Sequence, residues 1–183
     1  MAESTLTYRR ATVNDIADIV SLLPAAYQDH QSQIGDDHWN KMKRSLSDEN
    51  QIANLVSFAV GFTCQSQNQL VGIIFSIPSG NPSQIFPADW SYVRLLGVDA
   101  NYRGLGVGKR LTQLCIEEAR QMGEQTIALH TSEFMNPARI MYEGLGFSRV
   151  REIEPIYDKR YWLFKLNFRD LIPPSGHWVR SWF

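Results

Sequence analysis

The spacing of hydrophobic residues along the chain predicts a series of short strands and helices. Residues Ile16, Ile19, Val20 and Leu23 recur at the spacing of an amphipathic helix, which Asn14 caps at its start. Further helices are predicted at His38–Leu46, Gly106–Met122 and Asn136–Gly144. Segments with strand-like composition lie at Thr5–Arg10, Leu55–Thr63, Gln69–Ile77, Tyr92–Val98, Thr126–Thr131, Phe147–Arg151 and Arg160–Phe168.

The order of these elements predicts one mixed α/β domain. Strands and helices are interleaved around a strand–turn–helix–strand–helix unit that begins at Tyr92 and ends near Gly144. The polar link Gln65–Asn68 suits a hairpin, and Pro78–Asp89 is rich enough in proline to be a loop. A chain of 183 residues can bury a core without disulfides or metals.

Composition and charge narrow the classes of function. The chain is 44% hydrophobic and 20% charged, which is ordinary for a soluble globular protein, and its net charge of -1 gives no field that favours nucleic acid or an anionic membrane. Cys64 and Cys115 fit no zinc or redox spacing, so we expect structural thiols and no metal. The first residues lack the apolar stretch of a signal peptide, and the longest apolar run, Val71–Ile77, is too short to span a membrane. We therefore expect a cytoplasmic protein.

The clearest chemical signal is a glycine-rich turn between a strand and a helix. Glycines 104, 106 and 108 alternate within Arg103–Lys109, where the absence of Cβ atoms lets the backbone turn tightly and approach a ligand. The first N–H groups of the following helix lie at the positive end of its dipole, which suits a phosphate. The spacing fits neither a P-loop nor a dinucleotide fingerprint. A tight turn without any ligand is the alternative interpretation.

Two segments together resemble a known enzyme family. Arg103-x-x-Gly106-x-Gly108, and further along Ala138-x-x-Met141-Tyr142-Glu143-Gly144-Leu145-Gly146-Phe147, are similar in sequence and order to the two signature segments of the Gcn5-related N-acetyltransferases. The resemblance covers Thr5 to about Phe168 and implies the acyl-CoA N-acyltransferase fold, an α/β (α+β) domain with splayed central strands. The mixed sheet would have about six to seven strands, flanked by about four helices. The acetyltransferase domain would then comprise residues 1–168, followed by a tail of residues 169–183.

The resemblance also implies acetyl-CoA as the cofactor and assigns its binding site. Arg103 occupies the arginine-or-glutamine position that begins the pyrophosphate loop, whose main-chain amides would hold the pyrophosphate. The strand before the loop would pair, through its main chain, with the pantetheine arm. The cofactor-binding residues implied in this way are Leu96, Gly97, Val98, Arg103, Gly104, Leu105, Gly106, Val107, Gly108 and Lys109.

Tyr142 stands where the family commonly has a tyrosine near the departing thiolate, and the resemblance implies that it acts as a general acid. The alternative is a core aromatic on an amphipathic helix. Met135 stands where many members have a cofactor-binding asparagine, and Asn136 is better explained as a helix cap. A general base is not assigned, because Glu133 and His130 are the nearest titratable residues and each has an ordinary structural explanation.

These observations predict an N-acetyltransferase that moves an acetyl group from acetyl-CoA to a primary amine of a small molecule or peptide. An acyl-CoA-binding sensor without turnover and a nucleotide-binding module are the alternatives. We expect acceptor choice to lie in Tyr27–Asp48 and Pro78–Asp89, where Asp29, Asp36 and Asp37 could form an acidic rim with neighbouring aromatic residues. The tail carries Trp178, Trp182 and Phe183, which follow two prolines. Because exposed aromatic residues are unfavourable, we expect the tail to pack on its own domain or across a homodimer interface.

Overall fold

The computed structural model describes residues 5–171 of the chain, and the expected packing of Trp178, Trp182 and Phe183 lies outside these residues. The strands are β1 (Leu6–Arg10), β2 (Val60–Ser66), β3 (Gln69–Ile77), β4 (Ser91–Val98), β5 (Thr126–Ser132), β6 (Ser148–Ile156) and β7 (Lys159–Asn167). The α-helices are α1 (Ile16–Ala26), α2 (Gln31–Ile34), α3 (Asp36–Leu46), α4 (Glu49–Phe58), α5 (Val107–Gln121) and α6 (Asn136–Gly144). Short 3-10 turns lie at Val13–Asp15, Gln28–His30, Ala100–Tyr102 and Phe168–Leu171.

Within the described residues, seven strands form one mixed sheet in the order β1-β2-β3-β4-β5-β7-β6. Neighbouring strands are antiparallel except β4 and β5, which are parallel. Helices α1, α3 and α4 pack on one face around Ile19, Leu23 and Trp39. Helices α5 and α6 cover the other face around Leu111 and Tyr142. This confirms the predicted α/β class and the strand number.

Helix α4 occupies part of the segment predicted as the strand Leu55–Thr63. The carboxylate of Asp48 caps this helix by accepting the N–H groups of Asn50 at 2.9 Å and Gln51 at 3.2 Å, and its buried face carries Ile52 and Leu55. The strand begins only at Val60. The prediction was wrong for residues 55–58 because a short apolar run has the same pattern in a buried helix turn and in a strand.

Two tight turns set the registers at the two sides of the sheet. The predicted hairpin after β2 closes through Gln67 and Asn68, which have φ angles of 49° and 66°, so the turn is shorter than the predicted link. A similar turn at Tyr157 and Asp158 joins β6 to β7. Strand β6 extends to Ile156, beyond the predicted end at Arg151. The prediction ended too early because the residues of this strand are mostly exposed and lack the apolar alternation that marks a strand.

The parallel pair β4–β5 separates almost as soon as it forms. Its registered pairs are Ser91 with Ile127 and Tyr92 with Ala128, after which the strands diverge. On the other side of β4, the pairs of Phe75 with Arg94 and Ile73 with Gly97 leave two β4 residues opposite one β3 residue. This β-bulge includes Leu95, whose φ is 55°, and bends β4 at the point of divergence. The predicted splay of the central strands is confirmed.

Asp15 should contribute to stability in a pH-dependent way. Its carboxylate accepts hydrogen bonds from Arg9 at 2.6 and 2.8 Å and from the N–H of Thr12 at 2.7 Å, and chiefly the Arg9 bonds lower its pKa from 3.8 to about 2. Because the folded-state pKa lies below the unfolded value, the stabilisation is present above about pH 4 and is lost as pH falls towards 2. We expect Asp15→Asn to lower the free energy of unfolding by about 2 kcal/mol at pH 7.

Urea denaturation at pH 7 and at pH 2.5 (roughly the folded-state pKa) checks this. The matched control is Asp18→Asn, since Asp18 is exposed in the first turn of α1. A loss of the same size at both pH values would contradict an origin in the charge of Asp15.

Candidate active site

A cleft of about 650 Å³ opens where β4 and β5 diverge. Its walls come from both faces of the sheet. Leu96, Val98 and Tyr142 belong to the face covered by α5 and α6, whereas Tyr27 and Tyr161 belong to the face covered by α1 and α3. The divergence of the two strands therefore produces a passage through the sheet that joins two chemically different ends.

The turn Arg103–Lys109 and the start of α5, which we call the glycine end, lie beside the end of the cleft that Leu96, Val98 and Arg103 line. Gly106 is the N-cap of α5 in the left-handed conformation (φ 81°), and the first helical hydrogen bond runs from the N–H of Arg110 to its carbonyl at 2.9 Å. The N–H groups of residues 107–109 precede that bond and point out of the helix end. A Cβ added at Gly104 or Gly106 would meet no heavy atom within 4 Å, so the outer side of the turn is open.

Gly108 fixes the glycine end against the cleft. A Cβ at this position would lie 3.7 Å from the side chains of Leu96, Val98 and Met141, so the first turn of α5 rests on β4 and α6. Leu96 and Val98 line the cleft. Gly97 faces the other way, where an added Cβ would lie 3.0 Å from Leu23, so this residue can offer only its main chain. Of the residues predicted to bind the cofactor, Leu96, Val98 and Arg103 line the cleft, and Gly108 packs beside the first two. The binding role of the whole set stays a prediction.

Arg103 differs from its neighbours in the turn because its side chain is already engaged. Its guanidinium donates to the carboxylate of Asp29 and, at 2.7 Å, to the carbonyl of Ala26. The hydrogen bond from Arg103, and then its charge, lower the pKa of Asp29. The side chain therefore ties the glycine turn to the end of α1.

Tyr142 on α6 lines the cleft and also packs in the core, with its ring 5.9 Å from that of Phe147. It is 7% exposed, and burial raises its pKa, followed by a smaller effect of Tyr27. The phenol is therefore protonated at neutral pH. The two interpretations of Tyr142 made from the sequence are compatible in position, since one edge of the residue meets the core and another meets the cleft.

Met135 lines the cleft, whereas its neighbour Asn136 does not. Met135 is the N-cap residue of α6 and lines the cleft, and its sulfur accepts a contact from the Thr131 hydroxyl at 3.6 Å. Asn136 is the exposed first residue of the helix and is not among the lining residues. The predicted cap at Asn136 is wrong by one position, because Met135 is the N-cap residue and no side chain caps this helix. Met135 presents an apolar side chain where a hydrogen-bonding one would be needed to bind a polar group.

Aromatic side chains form the other end of the cleft, which we call the aromatic end: Tyr27, His30, Phe134, Tyr157 and Tyr161. The ring of His30 lies 4.9 Å from that of Tyr27 and 5.1 Å from that of Phe134. The members of this set come from the end of α1 and the turn after it, the loop after β5, and the β6–β7 hairpin. They could not be grouped from the sequence for this reason. No local spacing connects these segments.

Two histidines line the cleft without hydrogen-bond partners for one ring nitrogen each. Within the described residues, Nε2 of His30 and Nδ1 of His130 are buried and have no acceptor or donor nearby. Burial lowers the pKa of both, that of His130 to about 4 with a further effect of Arg94. Both rings are therefore neutral at neutral pH. Glu133, in contrast, lies outside the cleft, where its carboxylate accepts the N–H of Arg160 at 3.2 Å.

The acidic rim expected from the sequence does not form around the cleft. Asp36 and Asp37 are exposed in the first turn of α3 and are not lining residues. Asp29 does line the cleft, but it pairs with Arg103. The loop at residues 78–90 contributes Phe86, which stacks on Tyr92 at 4.2 Å behind the cleft wall. The expectation was wrong because residues adjacent in sequence at a helix start point to solvent rather than to a common site.

Comparison with known proteins assigns the chain to a family. A model of the acetyltransferase (GNAT) family matches residues 17–147, more than half of the sequence. The chain belongs to this family. Among solved structures, the fold is similar to the PaiA N-acetyltransferase of Thermoplasma acidophilum, crystallised in complex with coenzyme A, with a TM-score of 0.72 and 11% identity over 89% of this chain and 99% of that one.

Sequence relatives of this GNAT chain match it over less than half of either protein. It is 31% identical over 91 residues to N-acetyltransferase 8F1 of Rattus norvegicus, a match that covers 49% of this chain and 39% of the rat protein. It is 32% identical over 75 residues to N-alpha-acetyltransferase 30 of Saccharomyces cerevisiae, covering 41% of this chain and 43% of the yeast protein. The chain thus spans less than half the length of these relatives.

None of the helices in residues 5–171 has the length and apolar character needed to cross a membrane. The same residues contain no group of three or more histidine, cysteine or acidic side chains placed to hold a metal ion.

Proposed function

We propose that this GNAT chain transfers an acetyl group from acetyl-CoA to a primary amine. The observation that carries the proposal is the open helix start at the glycine end, whose first turn packs against Leu96 and Val98 in the wall of the cleft. Helix N-termini bind phosphates because their first N–H groups lack helical partners and the helix dipole is positive there. The main-chain N–H groups of residues 107–109 would hold the pyrophosphate, and the positive-φ glycines 104 and 106 would let the turn approach it closely.

The edge of β4 that faces away from β3 would bind the pantetheine arm. Beyond Tyr92 this edge is not paired with β5, so its main-chain groups are available along residues 94–98. An extended ligand can add to such an edge as an extra strand. Leu96 and Val98 would then flank the arm with apolar side chains, and Gly97 would contribute its main chain.

Acetyl-CoA supplies an activated thioester carbonyl and a thiol leaving group. In the transfer, the amine nitrogen bonds to the carbonyl carbon, the carbon–sulfur bond breaks, the amine loses a proton and the sulfur gains one. Tyr142 is suited to hold the proton that the sulfur needs, because burial keeps its hydroxyl protonated. His30 is suited to accept the proton of the amine at Nε2, because it is neutral, lines the cleft and has no other partner for this nitrogen among the described residues.

The proposed base and the proposed acid line the same cleft. The ring of Tyr27 lies 4.9 Å from that of His30. Burial raises the pKa of Tyr142, and Tyr27 raises it further. His130 is a weaker candidate for the base, because a pKa of about 4 leaves it little affinity for a proton at neutral pH.

A sensor that binds acyl-CoA without turnover is the second candidate. It is favoured by the shortage of carboxylates, since the acidic residue that lines the cleft in the described chain, Asp29, is engaged by Arg103. Release of free thiol from acetyl-CoA in the presence of a panel of primary amines distinguishes the two. Binding of CoA without release by any amine would support the sensor.

Gly106→Asp should abolish CoA binding and leave the fold intact. Aspartate tolerates a left-handed conformation better than most residues, and the position is open, so we expect a cost of about 1 kcal/mol in stability. Its carboxylate would repel a pyrophosphate at the helix start. Calorimetric titration with CoA measures the effect. Gly80→Asp is the matched control, because Gly80 has a φ of 88°, is equally open and lies in a loop outside the cleft. Unchanged affinity in folded Gly106→Asp would remove the pyrophosphate assignment.

Tyr142→Phe should lower kcat by roughly 10²-fold or more and leave CoA affinity nearly unchanged. The ring still packs against Phe147, and only the proton donor is lost. Steady-state rates with calorimetric CoA affinities measure both quantities. Tyr8→Phe, on β1 at the far side of the sheet, is the control and should retain the wild-type rate. Full turnover by Tyr142→Phe would leave Tyr142 with a packing role alone.

His30→Gln should lower kcat/KM by roughly 10²-fold and remove an acid limb from its pH profile. The pKa of His30 is lowered, so the neutral base persists below the ordinary value of 6.5 and activity is lost as pH falls through the lowered pKa. The variant that serves as control is His38→Gln, because His38 does not line the cleft and its ring instead contacts the carbonyl of Ile34 and the ring of Tyr157. If His30→Gln kept the acid limb, proton removal would have to pass to another group, such as a water chain.

A further inference from the structure

Arg94 is a cation that lines the cleft and has no ionic partner among the described residues. It lies on β4 opposite Phe75, immediately before the bulge residue Leu95, and its exposed side chain lines the cleft. Its positive charge reaches Tyr27 and His130: burial raises the pKa of Tyr27 and Arg94 partly offsets this, whereas burial and then Arg94 lower the pKa of His130. Arg94 therefore lies next to the bend in β4 and in the same cleft as Tyr142 and His30.

No carboxylate of the described chain neutralises this cation. The salt bridges formed by residues 5–169 pair other groups, including Arg103 with Asp29 and Arg160 with Glu152, and Arg94 forms neither a salt bridge nor a side-chain hydrogen bond among them. The histidines of the cleft are neutral at neutral pH. The cleft thus offers an acceptor one positive charge and no free negative charge.

The walls around Arg94 indicate the remainder of the acceptor. Tyr27, Phe134 and Tyr161 present rings to the cleft, and Met42 and Leu46 add apolar surface from α3. A simple cationic amine would meet an uncompensated like charge here, which is unfavourable. A guanidinium, in contrast, binds a carboxylate through two parallel hydrogen bonds and fixes its orientation.

We propose that Arg94 binds a carboxylate of the acceptor, so that the acceptor is an α-amino acid with an aromatic or large apolar side chain. The proposal rests on the acetyl transfer proposed above and specifies its substrate class. Arg94 lines the same cleft as Tyr142 and His30, the groups proposed to move protons, so a carboxylate that it binds and the reacting amine share one cleft. An α-amino acid carries both groups on one small molecule, whereas the carboxyl group beside the amine at the N-terminus of a peptide is an amide.

Matched amine pairs that differ only in the carboxylate test this proposal. Phenylalanine is compared with 2-phenylethylamine, and tryptophan with tryptamine, by initial rates of thiol release and by the mass of the acetylated product. The wild-type protein should prefer the amino acid of each pair. Arg94→Gln should lower kcat/KM for the amino acids by roughly 10- to 100-fold, the effect of losing hydrogen bonds to a charged group, and should leave the decarboxylated amines unchanged or faster.

Two control variants are needed. One keeps the positive charge at position 94, and the other removes a surface arginine that lies elsewhere. Arg94→Lys keeps the charge without the planar fork and should recover part of the preference. Arg149→Gln, on β6 where Arg149 lies over the ring of Trp162, should behave as wild type. CoA affinity should be the same in all three variants, because Arg94 is not assigned to the glycine end.

The outcomes separate this proposal from the one on which it rests. Equal kcat/KM for the two members of each pair, or an equal loss for both in Arg94→Gln, would overturn the role of Arg94 while acetyl transfer stands. If CoA binds but no amine of either kind releases thiol, acetyl transfer fails. Calorimetry with N-acetylphenylalanine and N-acetyl-2-phenylethylamine on the CoA-loaded protein then still tests Arg94, since only the first ligand should bind more weakly to Arg94→Gln.

Discussion

The divergence of β4 from β5 is the constraint on which the rest of this structure depends. A continuous parallel pair would satisfy the main-chain groups of β4 and close the sheet between its two helical layers. Instead, pairing ends at Tyr92, and the bulge at Leu95 turns β4 away. Unpaired main-chain groups are costly when buried, about 1–3 kcal/mol for each group. They are tolerated here because they border a cleft, where solvent or an extended ligand can satisfy them.

Close packing on the sheet holds α5 where its first turn meets this cleft. A Cβ at Gly72 on β3 would lie 2.9 Å from Val107 and 3.0 Å from Leu111, so the absence of a side chain there lets the helix rest directly on the sheet. Cores are packed too densely to absorb such an overlap without a shift. The helix start and the splayed edge are therefore positioned by the same core that stabilises the fold, and neither can move without the other.

The sequence was informative wherever the chemistry is local. The glycine turn, the strand before it and the helix after it are contiguous, so residue types and spacing were enough to predict the elements and their meeting at one site. The failures have a different origin. Helix α4 was missed in part because its apolar run also fits a strand, and the end of β6 was missed because an exposed edge strand needs no apolar alternation. His30, Phe134 and Tyr161 meet through long-range packing that spacing along the chain does not encode.

The two ends of the cleft differ in the same way, since one is built from contiguous residues and the other from distant segments. This difference determines what each end can recognise. The glycine end presents main-chain groups, which are the same for any sequence that folds this way, so it suits a ligand part that never varies. The aromatic end presents side chains from separate segments, with Arg94 among them, so single substitutions there can change the acceptor without disturbing the helix start. Relatives that share the glycine turn therefore need not share an acceptor, and identity concentrated around that turn is a poor guide to the amine.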